Sequence, residues 1–324
     1  MSESTTTIRD EILQSITDIF GIGIDDYHQI DQGYLNLKWK IETDLGSLFA
    51  KQYNKNRYPE HLVQGLEISL SHQNDLYNQG IPVPQLFQHQ GQYVLRTPSQ
   101  ERYVLMRSCQ GEILQPGTAN VHQMYSLGKI TGHMHKLLNS HHAKQPLHWN
   151  IRNKEEMQKH WERRWSDAVS MGCEKTLAAL EIQRDIINET DIGLFSGCEQ
   201  GWCHWDLFVD NILFRPNSVS AVLDFDRLNY VYPDFDISRP ILSCALEKGG
   251  IRLEVVRAFV DGYRKHRPLT LDQLVRSIQL TWWKEAGWVN VEKEGDSKPI
   301  KRFREENLWV GQHWHGLRDI FGGI

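Results

Sequence analysis

The segment His204-Trp205-Asp206-Leu207-Phe208-Val209-Asp210-Asn211-Ile212-Leu213-Phe214 is followed closely by Val222-Leu223-Asp224-Phe225-Asp226. An aspartate, an asparagine five residues on and a second aspartate eighteen residues on are the set that phosphoryl transfer from ATP requires. One carboxylate positions and deprotonates an attacking hydroxyl; an amide oxygen and a second carboxylate hold the magnesium ion that neutralises the moving phosphate. Asp206 is the candidate catalytic base. Asn211 and Asp224 are the candidate metal ligands, both offering the oxygen donors a hard cation prefers. Asp224 ends the apolar strand Ala221-Val222-Leu223, where a carboxylate is costly unless it binds metal or meets an opposite charge. Asp226 either assists the metal or caps the next turn. His204 reads as a structural residue that packs and hydrogen-bonds the loop, not as a proton shuttle.

Holding such a loop in place takes strands beside it and a scaffold ahead of it. Apolar spacing at Ile8, Ile12, Leu13, Ile16, Ile19 and Phe20 predicts an opening helix over 8–20. Strand-like stretches over 34–43 and 47–53 flank Asp44-Leu45-Gly46, a hairpin signal. A helix over 60–77 follows, closed by Gly80, Pro82 and Pro84, and then strands near 92–95 and 102–106 separated by Thr97-Pro98-Ser99. This order predicts a small antiparallel sheet carrying one helix across residues 1–110. Residues 111–324 read as mainly helical, with helices over 121–138, 154–171, 174–189, 253–266 and 271–289. Strands near 214 and over 219–225 interrupt that run and carry the chemistry. Residues 292–298 are polar and read as an exposed loop. The fold class is α+β.

At 324 residues the chain suits two domains or lobes with ample core. Apolar residues make up 40%, charged residues 24%, and the net charge is -5, a balance that gives no reason to expect nucleic acid or an anionic membrane as partner. The five cysteines, Cys109, Cys173, Cys198, Cys203 and Cys244, are odd in number and lack C-x-x-C spacing; they read as free thiols in a reducing compartment. Eleven tryptophans read as large core residues and helix anchors. The first residues carry neither a basic nor an apolar signal region, and no run is long enough to span a bilayer. A cytoplasmic protein is the expectation; oligomeric state is not legible.

Residue by residue, these motifs resemble the aminoglycoside phosphotransferase and choline kinase family, the small-molecule branch of the protein-kinase fold. The family's catalytic string H-G-D-x-x-x-x-N stands here as His204-Trp205-Asp206 to Asn211, and its metal strand I-D-[FW]-[DE] as Leu223-Asp224-Phe225-Asp226. Leu127-Gly128-Lys129-Ile130-Thr131-Gly132-His133-Met134-His135 is similar to the L-G-x-x-L-A-x-L-H helix, and Gly80-Ile81-Pro82-Val83-Pro84 to the G-[IV]-P-V-P turn. The Asp-Leu-Phe-x-Asp-Asn wording is similar to type II homoserine kinases. The resemblance implies a bilobal protein-kinase-like fold with a hinge near 106–110. It also implies ATP and Mg²⁺ as cofactors and a small-molecule hydroxyl substrate: an aminoglycoside-like antibiotic, homoserine, choline or a sugar.

The resemblance further implies roles for individual residues. Lys51, ending Leu48-Phe49-Ala50-Lys51, matches the strand lysine that grips the α- and β-phosphates, with Glu67, or alternatively Glu60, to orient it. Asp31-Gln32-Gly33-Tyr34-Leu35-Asn36 stands where the nucleotide loop belongs, with Gly33 and Asn36 as its contacts, and Met106-Arg107-Ser108 stands where backbone meets the adenine edge. Asp236 matches an aspartate that braces the catalytic loop and caps the following helix. Trp205 departs from the family's small residue, so its indole must point away from the tight backbone or stack on the substrate. Thr281-Trp282-Trp283-Lys284-Glu285 and Glu305-Glu306-Asn307 offer aromatic and acidic groups to a substrate; the acidic groups suit an aminoglycoside or amine. A non-catalytic member of the spore-coat type is the alternative, opposed by the intact set Lys51, Asp206, Asn211 and Asp224. A protein kinase is disfavoured by the missing G-x-G-x-x-G and A-P-E segments.

Overall fold

The computed structural model describes residues 3–30, 36–292 and 298–324. Two compact units emerge: the chain up to Gly111 together with Ser220–Arg227, and Glu112–Val219 together with Leu228–Ile324. The eight residues carrying Asp224 and Asp226 thus belong with the first unit, although their place in the sequence puts them deep in the second.

In the first unit, β1 (Ile24–Gln29), β2 (Lys38–Thr43), β3 (Gly46–Tyr53), β4 (Leu95–Arg96) and β5 (Arg102–Arg107) form an antiparallel sheet in the order β1-β2-β3-β5-β4. The expected hairpin closes with Thr43 opposite Gly46, and Gly46 takes φ +92°, a conformation glycine adopts at little cost. α1 (Glu3–Phe20) covers one face of the sheet, burying Ile12 and Ile16 against Trp39, Ile41, Leu48 and Ala50. α2 (Val63–Asn78) covers the other, where Leu66 and Leu70 meet Tyr53 and Val104. Because side chains alternate along a strand, Lys51 falls on the α2 face with Tyr53, opposite Leu48 and Ala50. The strand expected over 92–95 shrinks to Leu95–Arg96 because the amides of Tyr93 and Val94 donate to the Glu67 carboxylate instead of to a ladder.

The second unit is mainly helical: α3 (Val121–His141), α4 (Lys154–Ser170), α5 (Glu174–Glu189), α6 (Asp234–Ala245), α7 (Leu253–Tyr263), α8 (Leu271–Glu285), α9 (Lys298–Gln312) and α10 (Leu317–Phe321). Reciprocal capping boxes start α3 at Asn120/Gln123, α4 at Asn153/Glu156 and α8 at Thr270/Gln273, which satisfies amides that helix starts leave unpaired. β6 (Gly201–Cys203) and β9 (Asn229–Val231) pair antiparallel on either side of the loop, while β7 (Ile212–Arg215) leads to β8 (Ser218–Val222). The Leu127–His135 motif gains a packing reason. A Cβ at Gly128 would sit 1.9 Å from the Phe259 carbonyl oxygen, so only glycine lets α3 and α7 lie this close. Every residue of α6 is buried and Pro240 lies inside it. The polar stretch expected to loop over 292–298 lies almost wholly outside the described residues. Among those described, no helix is long and apolar enough to cross a membrane.

Asp234, buried in the first turn of α6, carries a testable pH signature. Burial pushes its carboxyl up to about 6, with Arg276 opposing. As the pH rises from about 4 to about 6 the unfolded chain has released this proton and the folded one has not, so the group's contribution to stability falls by at most roughly 3 kcal/mol and then levels off. Urea midpoints across that window should therefore decline more steeply in the wild type than in Asp234→Asn. Parallel profiles would show that the site does not titrate as assigned.

Candidate active site

The loop from His204 to Asn211 hangs from one carboxylate. The amides of His204 and Trp205 donate to Asp236 Oδ2 at 2.6 Å and Oδ1 at 2.8 Å. His135 Nε2 lies 3.1 Å from Asp236 Oδ2, and His135 Nδ1 lies 3.0 Å from the Tyr263 hydroxyl. A carboxylate only accepts, so Nε2 bears the proton and Nδ1 accepts from Tyr263, whose hydroxyl burial holds in its protonated form. The final histidine of the α3 motif therefore supports the aspartate that supports the loop. His204 is fully buried, and its Nδ1 accepts the Asp206 amide at 3.3 Å, a structural placement. Leu207 and Val209 are buried, and the Val209 amide donates to Ser243 Oγ at 3.0 Å.

Pinned in this way, the loop presents Asp206 half-buried. Asn211 Nδ2 donates to the Asp206 main-chain oxygen at 2.9 Å and lies 3.4 Å from Asp206 Oδ2. That bond fixes the orientation of the amide: its nitrogen faces Asp206, and its oxygen, the atom a hard cation would take, is the other end. Trp205 adopts φ +63°, the left-handed region a bulky residue enters only when its surroundings enforce it, at about 1–3 kcal/mol. The two Asp236 bonds are that enforcement.

In the smaller unit, Lys51 Nζ lies 2.8 Å from Asp224 Oδ1 and 2.6 Å from Asp226 Oδ2. The hydroxyls of Tyr53 and Tyr58 donate to the two Asp226 oxygens at 2.9 Å and 3.0 Å. Burial works against the Lys51 charge, but the two carboxylates more than offset it and raise its pKa above the ordinary lysine value. Burial pushes the Asp226 carboxyl up, with Lys51 opposing. Asp226 is enclosed, at 5% side-chain exposure, whereas Asp224 is 34% exposed. Asp224 also takes φ +62°, which an aspartate tolerates better than most residues. The Pro82 carbonyl of the Gly80–Pro84 turn accepts the Val222 amide at 2.8 Å, so this turn helps to fix the strand that delivers Asp224. Asp224 in this unit and Asn211 in the other each offer an oxygen donor of the kind a hard cation takes.

Other sequence expectations are corrected. Glu67 does not orient Lys51: its oxygens accept the amides of Tyr93 and Val94. The alternative, Glu60, pairs with Arg96 and Arg102. The orienting carboxylates are Asp224 and Asp226. Asn36 is buried and its Oδ1 accepts the Asn54 amide at 3.2 Å, a brace of the strand ends; Gly33 lies outside the described residues. The Ser108 amide donates to the Ser47 carbonyl at 3.0 Å, so it is already engaged within the sheet, and Met106 lies half-buried opposite Phe49. Tyr53 and Tyr58 were not anticipated, although Tyr53 stands two residues beyond Lys51 and strand alternation puts both on one face.

The second unit holds a half-buried carboxylate on a braced loop beside an amide, and the first ties a buried lysine to a half-exposed carboxylate; each is a part of the kind phosphoryl transfer uses. The comparisons agree. The chain belongs to the phosphotransferase enzyme family, whose model matches residues 26–269. It is 25% identical over 288 residues to a homoserine kinase of Zymomonas mobilis, covering 85% of this chain and 83% of that one. A stretch of 82 residues, 24% of this chain and only 25% of the relative, is 37% identical to the homoserine kinase of Methylobacillus glycogenes. Among solved structures, a microcompartment-associated aminopropanol kinase superposes with TM-score 0.66 at 15% identity, covering 95% and 98% of the two chains. An amicoumacin kinase in complex with AMP-PNP and Ca²⁺ gives TM-score 0.59 at 17% identity, covering 95% and 96%.

Proposed function

We propose that this protein is an ATP-dependent, magnesium-dependent kinase that phosphorylates the hydroxyl of a small molecule. The observation that carries this reading is the Lys51–Asp224 pair at 2.8 Å: a buried strand lysine bound to a half-exposed carboxylate has little structural use and suits a polyphosphate with its metal. Mg²⁺·ATP, when bound, supplies the transferable phosphoryl group and the neutralising charge. Lys51 holds phosphate oxygens, and Asp224 and Asn211 give oxygen donors to the metal. Asp206 orients the acceptor hydroxyl and takes its proton as the acceptor oxygen bonds to the γ-phosphorus and the bond to the ADP oxygen breaks. The relatives named for homoserine and aminopropanol favour a short amino alcohol or hydroxy amino acid as acceptor over a large antibiotic.

Calorimetry with ATP and Mg²⁺ tests the nucleotide half. Binding is expected in the micromolar to millimolar range, the usual span for such substrates, and Asp224→Ala is expected to weaken it while Asp206→Asn does not. ADP release measured across aminoglycosides, hydroxy amino acids, amino alcohols, choline and sugars tests the acceptor half. No nucleotide binding, or no acceptor-stimulated turnover with any of them, would overturn the proposal.

A further inference from the structure

We propose that Lys284 is the acceptor-side anchor for an anionic group, so that the hydroxyl substrate carries a carboxylate and is not a polycation. This rests on the kinase reading above.

The side chain next to the catalytic aspartate is Trp205, and the cation seated on its ring is Lys284. Lys284 Nζ lies 5.2 Å from the Trp205 ring centroid and 5.0 Å from that of Phe235. His148 meets Trp205 edge-on at 5.2 Å, and Trp149 meets Phe235 edge-on at 5.5 Å. His148 is exposed, Trp205 and Trp149 are half-buried, and the Lys284 side chain keeps 20% exposure. The residue that precedes Asp206 thus belongs to a partly solvated aromatic group, and the charge seated on that group is an ammonium. An aromatic face already covered by a cation is a poor seat for a second one, since both would compete for the same ring charge.

Two of the acidic residues that would favour a cationic acceptor, Glu285 and Glu306, are already committed. Glu285 and Glu306 are buried and both pair with Arg239. Arg302 pairs with Glu306 at 3.3 Å and with Asp210, inside the catalytic loop, at 2.6 Å. Lys284 itself lies 3.5 Å from Glu285 Oε1, yet that carboxylate also receives the Arg239 Nε–H at 2.9 Å. Arg239 and Arg302 thus hold Glu285, Glu306 and Asp210 between them, with Lys284 at the edge of the same cluster. Trp282 and Trp283 are fully buried as well. Of the aromatic and acidic groups that the sequence offered to an aminoglycoside, Trp282, Trp283, Glu285 and Glu306 belong to the core of the unit and Glu305 is exposed, while Lys284 is the cation that lies on the Trp205 ring of the loop. A carboxylate is the small-molecule group that an ammonium on an apolar wall recognises through charge-assisted hydrogen bonds.

The test uses matched acceptors: serine, threonine and homoserine, each against the amino alcohol left when its carboxylate is removed, together with an aminoglycoside. The wild type should turn over a carboxylated member with a KM below that of its decarboxylated partner. Lys284→Met should raise the KM for the carboxylated member by about 10–100-fold, the worth of one charged hydrogen bond. The same variant should leave the KM values for the decarboxylated partner and for ATP in place, and Lys284→Arg should keep the preference. Wild-type turnover that favours decarboxylated acceptors or the aminoglycoside overturns the inference and leaves the kinase reading standing. So does a Lys284→Met variant that retains the preference or raises both KM values alike. Silence across the whole panel overturns both.

Discussion

Asp206→Asn should lower kcat by roughly 10²–10⁴-fold, the usual contribution of a positioned general base, with little change in nucleotide affinity or melting temperature. The substitution keeps the shape of the side chain and every main-chain bond of the loop. The Asp206 amide still meets His204 Nδ1, and the Asp206 carbonyl still accepts Asn211 Nδ2 at 2.9 Å. The weaker 3.4 Å approach of Asn211 to Oδ2 involves the altered group. What is removed is the capacity to take a proton. Lys51 and Asp224, which the proposal gives to the phosphates and the metal, are bonded to each other at 2.8 Å and are unaltered in this variant. A loss confined to stability, or a loss of nucleotide binding with kcat intact, would remove Asp206 from the role of base.

How much of this was legible in the sequence depends on the range of the interaction. The catalytic loop is local: the spacing from His204 to Asn211 dictates a turn whose own atoms close on each other, and the strands around it read from their apolar residues. The partner of Lys51 is not local, since 173 residues separate it from Asp224. A helix carboxylate seemed the natural partner, but Glu67 faces the two amides that end the short strand β4. α6 carries Pro240 in its interior, a residue that in sequence argues against a helix. Trp205 was the visible anomaly, and its cause is equally non-local. Asp236, thirty-one residues on, holds two successive amides and so forces a left-handed backbone that glycine would adopt freely. The indole is half-buried, and its ring lies under Lys284.

Arg239→Ala should destabilise the fold by about 3–5 kcal/mol, because removing one member of a buried ion network strands the others. Arg239 rises from α6, stacks on Phe303 at 4.9 Å and joins Glu285 of α8 to Glu306 of α9. Both glutamates stay buried when it is gone. The loss should also depend on pH. Burial already pushes the Glu306 carboxyl up, and Arg239 is the largest influence opposing it, so the variant's folded-state pKa must rise further above the unfolded value. A carboxyl raised in this way favours the fold while it is protonated and loses that advantage as the pH rises through its folded pKa. The deficit relative to wild type is therefore larger at neutral pH than at about pH 5, nearer the unfolded carboxylate range. Adding Glu306→Gln, which removes the charge but keeps the shape, should recover part of the neutral-pH loss and flatten the difference. Urea unfolding of the three proteins at both pH values measures this. A deficit that is unchanged by pH and by the second substitution would mean that Arg239 acts through its stacking on Phe303 and not through the buried charges. In that case the charge balance that leaves Lys284 as the cation beside the catalytic loop would need to be redrawn.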